Sequence, residues 1–355
     1  MGFPNVFSDA GGAGEVDVSA RSDPMTGRRL LITGAGGFTG RHAVSSFAAA
    51  GSQVTAVLRH SGNGGGLGGV APIFPEGVHV YYCDLSDRKA VHEMIQTVAP
   101  EEVLHLAGKN SVPESWRDPL LYIESNVMAT LYLLEALRSL PQSRILVAGS
   151  RLKFKAGTAA GPPHPYSLSK TLEELASLAW GTLFRQPVLM AEPCNLIGPG
   201  PSTGFCSLLA RYIVTLEAGG EPPLFKLSSR FDLRDFLDVR DAVRAYSVIL
   251  NKGETGTVYK IDSGRQRSLG EIAQYLLSRS AVEVPLDWGP EAGESLEQSV
   301  MNRAQREDSR AAIPDHKETP EMNVDTLGWQ PEIDLETSLT DILAYYRTGG
   351  EGGLV

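Results

Sequence analysis

From residue 29 onward, short apolar runs alternate with longer segments whose apolar residues recur at helical spacing. Parallel strands need a crossover connection, usually a helix, so this alternation predicts a Rossmann-type, doubly wound α/β fold. The predicted strands span residues 30–33, 54–58, 78–82, 103–106, 145–148 and 188–192. The best-defined predicted helices span residues 39–50, 87–98, 120–139 and 166–180.

A glycine-rich turn, TGAGGFTG at residues 33–40, joins the first predicted strand to the first predicted helix. Gly34 permits a tight turn, Gly37 lets a pyrophosphate approach the backbone, and Gly40 lets the helix pack closely. The helix N-terminus that follows favours phosphate groups. This turn, between a strand and a helix, predicts a dinucleotide-binding site. The other predicted cofactor contacts in the motif are Phe38 and Thr39.

Two positions at the ends of later strands bear on the choice of cofactor. Arg59 follows the second strand, where an acidic residue would bind the ribose 2′-hydroxyl of NAD. A cation there accommodates a 2′-phosphate, so we expect NADP rather than NAD. Asp84 and Leu85 follow the third strand, and Asp84 is either an acceptor for the adenine amino group or a turn residue.

Tyr166 and Lys170 lie one helical turn apart on one face of the fourth predicted helix. A tyrosine ordinarily has a pKa of about 10, but a neighbouring ammonium stabilises the phenolate, so that the tyrosine can take part in proton transfer. Ser150 follows the fifth strand at its carboxyl end, where sheets of this type bind ligands. The three residues predict a site in which Ser150 holds a substrate oxygen, Tyr166 transfers a proton and Lys170 supports Tyr166.

The alternation loosens after residue 190, where proline and glycine become frequent. We expect a dinucleotide-binding domain over residues 28–190, with a strand and a helix near residues 231–262 returning to it, and a mainly substrate-binding lobe over residues 191–348. Residues 1–27 are rich in Gly, Ser, Asp and Ala and predict a disordered tail. Residues 61–69, mostly glycine, predict a mobile loop.

The composition narrows the class of protein and its partners. The 355 residues carry a net charge of −10 without a run of Lys and Arg, which argues against nucleic acid as a partner. The three cysteines lie far apart without metal-ligand spacing, so we expect reduced thiols and no metal. With no apolar stretch of about 18 residues and no secretory signal evident, we expect a cytoplasmic protein that does not span a membrane.

Together, these motifs resemble the extended short-chain dehydrogenase/reductase family, the NAD-dependent epimerases and dehydratases. The resemblance covers residues 29–348 or so. The elements in the family's order are the glycine turn, His105-Leu-Ala-Gly, Asn126-Val-Met-Ala-Thr, Ser150 and Tyr166-x-x-x-Lys170. Segments beginning at Ser115, Asn195, Arg234 and Leu327 are most similar to those of reductases of GDP-4-keto-6-deoxy-D-mannose.

The resemblance implies further site residues and a homodimer. Leu106 and Ala107 would contact the cofactor. The substrate, a nucleotide-diphosphate sugar, would contact Ser111, Asn195, Arg234 and Arg310. Arginine suits the diphosphate, because an acidic protein must supply positive potential locally. In the family, the counterparts of helices 120–139 and 166–180 pair across a dimer, and here both are apolar over more than one face.

Two departures from the family pattern bear on the reaction. Dehydratases follow the Ser or Thr with an Asp-Glu pair, whereas this chain has Arg151 and Leu152, so a 4,6-dehydratase is not expected. Glu192 stands where the reductases usually have arginine, and a carboxylate beside a diphosphate is repulsive unless it points away. Unless Glu192 points away or binds sugar hydroxyls, it argues against assigning the substrate of these reductases to this chain. Lys153 has no role evident from the sequence.

The leading hypothesis is NADP-dependent reduction of a 4-keto nucleotide sugar, with Tyr166 as the general acid. The first alternative is a 4-epimerase, in which the same residues act with retained NAD. A further alternative, from another class, is a non-catalytic protein that keeps only the dinucleotide site. The presence of Ser150, Tyr166 and Lys170 together favours an enzyme.

Overall fold

The computed structural model describes residues 27–59, 73–156, 161–289 and 320–349. The predicted loop at residues 61–69 and all but the last residue of the predicted N-terminal tail lie outside these ranges. In chain order the strands β1–β13 are Arg29–Thr33, Gln53–Leu58, His79–Tyr82, Glu102–His105, Arg144–Ala148, Val188–Pro193, Asn195–Ile197, Phe225–Lys226, Leu233–Asp238, Val258–Ile261, Gln266–Ser268, Leu286–Asp287 and Glu321–Asn323.

Among the described residues, eight parallel strands form one large sheet in the order β13-β10-β6-β5-β4-β1-β2-β3. The order reverses at β1, which lies between β2 and β4, so the carboxyl ends of β1 and β4 border the crevice in which such sheets bind ligands. All six predicted strands are present, and both ends of each strand lie within one residue of the predicted ends. The predicted Rossmann-type α/β fold is confirmed.

Helices α1–α10 are Phe38–Ala49, Arg88–Val98, Val112–Arg117, Pro119–Tyr122, Ala129–Leu137, Pro165–Phe184, Phe205–Glu217, Val239–Lys252, Leu269–Ser278 and Leu335–Arg347. One buried core lies where the sheet meets residues of α1 and α8, and a second lies where it meets residues of α2 and α5. Local signals set the helix starts: Asp87 caps α2, and the His164 ring accepts from the Ser167 amide ahead of α6, whose first residue is Pro165.

The predicted helix 120–139 is interrupted by a wider, π-helical turn. This turn, Ile123–Met128, lies between α4 and α5. It contains Asn126, whose buried side chain accepts from the Lys109 amide at 2.7 Å and donates to the Ser169 hydroxyl at 2.9 Å. Such turns often mark functional sites, and here the turn holds an amide that joins the loop after β4 to α6.

The segment Pro119–Leu137 is long and apolar enough to cross a membrane by length and composition. The expectation that no stretch reaches this length was therefore wrong. Half of the segment is buried inside the protein, and it packs against α2 and α6. A helix that is buried on several sides is apolar all round, so this packing accounts for the composition of the segment.

Residues beyond 190 contribute to both parts of the molecule. Strands β10 and β13 extend the large sheet, and α8 packs against α1. A third core forms between α7, α9 and α10, next to a three-stranded sheet of β7, β9 and β11. The buried Asp241 of α8 accepts from the amides of Glu332 and Ile333 at 3.0 and 2.9 Å, which fastens the C-terminal segment to the sheet's helical layer.

Candidate active site

The glycine turn after β1 is shaped by two close backbone approaches. Gly34 has a φ of +67°, and a Cβ there would lie 2.7 Å from the Ala107 amide nitrogen. A Cβ on Gly40 would overlap the Gly34 carbonyl oxygen. A Cβ on Gly37 would lie 3.2 Å from that oxygen, a milder contact. The turn therefore presents its backbone and the start of α1, Phe38, without a covering side-chain cap.

The loop after β4 packs against this turn, which places Leu106 and Ala107 beside Gly34. In the same loop, a Cβ on Gly108 would lie 2.9 Å from the side-chain oxygen of Asn126. The crevice between β1 and β4 is thus lined by main chain on one side and anchored by a buried amide on the other. Such a crevice suits the pyrophosphate and ribose of a dinucleotide.

At the far side of this crevice, Arg59 is exposed directly after β2. Asp84, after β3, accepts from the amide and hydroxyl of Ser86 at 3.0 and 2.8 Å. These bonds, the backbone one foremost, hold the pKa of Asp84 below its usual range, and the charge of Arg59 acts in the same direction. These hydrogen bonds support the interpretation of Asp84 as a turn residue. Leu85 packs its side chain against the second core.

Lys170 joins helix α6 to the carboxyl end of β5. Its ammonium donates to the Ala148 carbonyl at 2.8 Å, two residues before Ser150. The loop that begins at Ser150 is also fastened to α6, because the Phe154 amide donates to the Thr171 hydroxyl and that hydroxyl donates back to the Phe154 carbonyl, both at 3.0 Å. The Ser150 hydroxyl accepts from the Leu152 amide at 3.1 Å.

Tyr166 lies in the first turn of α6, on the face that carries Lys170, and its side chain is 5% exposed. The ring of Tyr122 meets it edge-on at 6.2 Å, and the ring of His164 stacks on it at 5.9 Å. Tyr122 donates to the Ser111 carbonyl at 2.7 Å, and the Ser111 hydroxyl caps α3. Tyr122 therefore links Ser111 to the Tyr166 ring.

A line of buried polar groups runs from β1 to Lys170. The Thr33 hydroxyl lies 2.7 Å from one ring nitrogen of His105, and the other ring nitrogen lies 2.9 Å from the Thr130 hydroxyl. Thr130 reaches Glu173 at 3.3 Å, and Glu173 forms an ion pair with Lys170. Burial, with the Lys170 charge, lowers the pKa of His105 to about 3, so the ring is neutral.

Glu173 is a site residue that the sequence reasoning missed. Its spacing from Lys170, three positions on the same helix, is a recognisable signal for an ion pair. Burial raises the pKa of the Glu173 carboxyl, and the contact with Lys170 opposes this rise. For Lys170, burial acts to lower the pKa, but Glu173 and other neighbours outweigh it and the pKa is raised.

The structure explains Lys153 and corrects the interpretation of Glu192. Glu192 is 5% exposed and lies 3.2 Å from the Lys153 ammonium. The same ammonium donates to Glu174 at 2.8 Å and lies 3.4 Å from Glu321. Burial raises the pKa of Glu192, and Lys153 opposes the rise. Glu192 thus points into this cluster of charged side chains. It is therefore no longer evidence that the substrate differs from that of the reductases.

Two of the residues expected at the diphosphate lie on neighbouring strands of the three-stranded sheet, Asn195 on β7 and Arg234 on β9. Asn195 donates to the Asp235 carbonyl at 2.8 Å, which joins β7 to β9. The Arg234 side chain is half exposed, with Asp232 3.4 Å away, and it stands opposite Arg267 on β11. Two like charges in this arrangement repel, and an anion between them would relieve the repulsion. Arg310 lies outside the described residues.

Arg151, the residue after Ser150, lies 3.0 Å from the Asp262 carboxylate at the end of β10. A guanidinium held in this ion pair cannot serve as the general acid of a dehydratase. Within the described ranges, no group of three or more His, Cys, Asp or Glu side chains is placed to hold a metal ion.

The open glycine turn and the Tyr-Lys helix beside it define a dinucleotide-binding α/β enzyme of the Rossmann class. A family model described as the NAD dependent epimerase/dehydratase family matches residues 30–262. The chain belongs to this family. The resemblance noted in the sequence is thereby confirmed, as is the prediction of an NAD(P)-dependent enzyme.

The relatives include several activities on nucleotide sugars. The GDP-6-deoxy-D-mannose reductase of Pseudomonas aeruginosa is 30% identical over 333 residues, 90% of this chain and 98% of that protein. A dTDP-glucose 4,6-dehydratase of Xanthomonas campestris is 28% identical over 90% of this chain and 93% of its own length. The solved structure of RMD from P. aeruginosa with NADPH has a TM-score of 0.67 and 26% identity, and the match covers 92% of this chain and 100% of that one.

The three glycines of the turn should respond differently to alanine. Gly34→Ala and Gly40→Ala meet backbone atoms, so each should lower the free energy of unfolding by about 2 kcal/mol or more. Gly37→Ala, the matched control, should leave stability closer to wild type but weaken NADPH binding, because its Cβ would occupy the face offered to the pyrophosphate. Thermal unfolding and NADPH fluorescence titration measure both effects. Equal stability losses in all three variants would contradict this account of the turn.

Proposed function

We propose that this protein reduces the 4-keto group of a nucleotide-diphosphate sugar with NADPH. The observation that carries the proposal is the attachment of α6, which bears Tyr166 and Lys170, to the carboxyl end of β5 and the Ser150 loop, through the bonds from Lys170 to Ala148 and from the Phe154 amide to Thr171. The P. aeruginosa reductase matches this chain over 98% of its own length. This similarity supports reduction of a 4-keto-6-deoxy sugar in particular. Arg151 in its ion pair with Asp262 argues against dehydration.

When bound, the nicotinamide supplies a hydride to C4 of the sugar. As the C4–oxygen double bond opens, its electron pair moves to the oxygen, and Tyr166 donates its hydroxyl proton there. Ser150 donates a hydrogen bond to the same oxygen and holds it beside the tyrosine. Lys170 stabilises the phenolate that remains, and from its place against β5 it would also help to hold the cofactor.

We propose the other predicted residues as binding contacts. Gly34, Gly37, Phe38, Thr39, Gly40, Leu106 and Ala107 would line the dinucleotide site, together with Arg59, Asp84 and Leu85 at its adenosine end. Ser111, Asn195 and Arg234 would contact the substrate, and the exposed guanidinium of Arg234 suits its diphosphate. Arg310 remains a candidate by resemblance alone.

Tyr166→Phe should lower kcat for NADPH oxidation by about 10²–10⁴-fold, because it removes the proton donor and keeps the ring. NADPH affinity should change little. Tyr132→Phe, a tyrosine on α5 outside the site, is the matched control and should retain wild-type kcat. Absorbance at 340 nm with a panel of 4-keto-6-deoxy nucleotide sugars measures the rates.

Three outcomes of that assay would overturn the proposal. If wild-type protein oxidises NADPH with no member of the panel, it is not this reductase. Interconversion of 4-epimeric nucleotide sugars, supplied in place of the 4-keto panel, without net cofactor oxidation would identify the epimerase alternative. A Tyr166→Phe variant as fast as wild type would remove Tyr166 from the reaction and favour the non-catalytic alternative.

Arg59 supports NADP over NAD, because it is exposed where the 2′-phosphate would lie. Arg59→Ala should weaken NADPH binding about tenfold or more and leave NADH binding nearly unchanged, since only NADPH carries the phosphate that the guanidinium pairs with. Fluorescence titration with both cofactors measures the ratio. Equal weakening of both would mean that Arg59 does not read the phosphate.

We also propose a cytoplasmic homodimer built on α6 and its neighbours. Helix α6 exposes Leu172, Leu175 and Leu183 at helical spacing, and Leu183 is 70% exposed. Such a stripe is typical of a protein interface. Leu175→Glu with Leu183→Glu should convert the dimer to monomer in light scattering, whereas Leu224→Glu, an exposed leucine elsewhere, should not. A monomeric wild type would contradict the proposal.

A further inference from the structure

Glu173 is a carboxylate without any solvent exposure, on the same helix as the Tyr-Lys pair. Its side chain is 0% exposed, one oxygen contacts the Lys170 ammonium, and the other accepts from Thr130 at 3.3 Å. Burying a carboxylate costs free energy unless an opposite charge and hydrogen bonds compensate. Glu173 is therefore the buried ion-pair partner of Lys170.

The charged and titratable groups around the pair come from four elements. From β4, His105 is neutral, because burial and Lys170 lower its pKa to about 3. From α4 and the loop before α6, the rings of Tyr122 and His164 face Tyr166, and burial lowers the pKa of His164. On α6 itself, Glu174 binds Lys153 at 2.8 Å.

Among the described residues, Glu173 is the carboxylate in ion-pair contact with Lys170. Burial alone would lower the pKa of Lys170 and tend to strip its proton, and Glu173 is the largest influence in the opposite direction. Glu173 therefore makes it harder for Lys170 to lose its proton.

We propose that Glu173 is a positioning residue that makes Lys170 one half of a buried ion pair and thereby keeps the Lys170 ammonium protonated toward alkaline pH. Reduction needs Lys170 as the ammonium beside Tyr166, so Glu173 widens the pH range in which the site reduces a ketone. This inference rests on the proposed reductase function.

The test is the pH dependence of kcat for NADPH-dependent reduction. Glu173→Gln removes the charge and keeps the shape, so the alkaline limb should move to lower pH by about one unit or more. Glu173→Asp keeps the charge and should keep most of the wild-type limb. Glu135→Gln removes a partly exposed carboxylate that pairs with Arg138 on α5, and it should leave the limb in place. An unmoved limb in Glu173→Gln, or an equal shift in Glu173→Asp, would overturn the proposal.

A second measurement needs no substrate, so it separates this inference from the proposed reaction. Thermal unfolding is compared for Lys170→Met, Glu173→Gln and the double variant. Each single change leaves one buried group without its partner, so the double variant should lose less than the sum of the two losses. If Glu173→Gln does not fold, the double variant should. Additive losses, or a double variant that also fails to fold, would contradict the pairing.

Discussion

The bond from the Lys170 ammonium to the Ala148 carbonyl is the contact on which the arrangement of the site depends. It fixes the start of α6 against the carboxyl end of β5, so the helix that carries Tyr166 meets the strand that leads to Ser150. The ammonium is nearly buried, and a buried charge is tolerated only when partners surround it. Glu173 and the Ala148 carbonyl are those partners, so catalytic geometry and local stability have the same origin.

The cofactor crevice is held by the same kind of constraint. The turn at Gly34 leaves no room for a side chain because the loop after β4 packs against it. That loop is fixed by Asn126, whose amide also bonds to Ser169 on α6. One buried amide thus relates the dinucleotide side of the crevice to the helix of the Tyr-Lys pair, and the π-helical turn is the backbone form that presents it. Displacement of any member would leave buried polar groups unsatisfied.

The sequence predicted β1–β6 to within one residue, because strands buried on both faces are read as short apolar runs. It gave no bounds for β10 and β13, which complete the large sheet. It also predicted that Ser150 lies at the carboxyl end of β5, on the side of the sheet where such folds bind ligands. It did not predict the π-helical turn, for which no local pattern is evident. The role of Lys153 was equally hidden, because its partners Glu174 and Glu321 are 21 and 168 positions away. Glu192 was misinterpreted for the same reason. Glu173, in contrast, could have been predicted from its spacing of three residues from Lys170 on one helix.

The central claim, that this site transfers hydride to C4 and a proton to the C4 oxygen, is tested most directly with NADPH that carries deuterium at its transferable position. Wild-type protein is incubated with GDP-4-keto-6-deoxymannose, and the product is examined by mass spectrometry and NMR. The account predicts one deuterium at C4 of each product molecule and one NADP⁺ formed with it. Product without deuterium at C4, or label at another carbon, would contradict it.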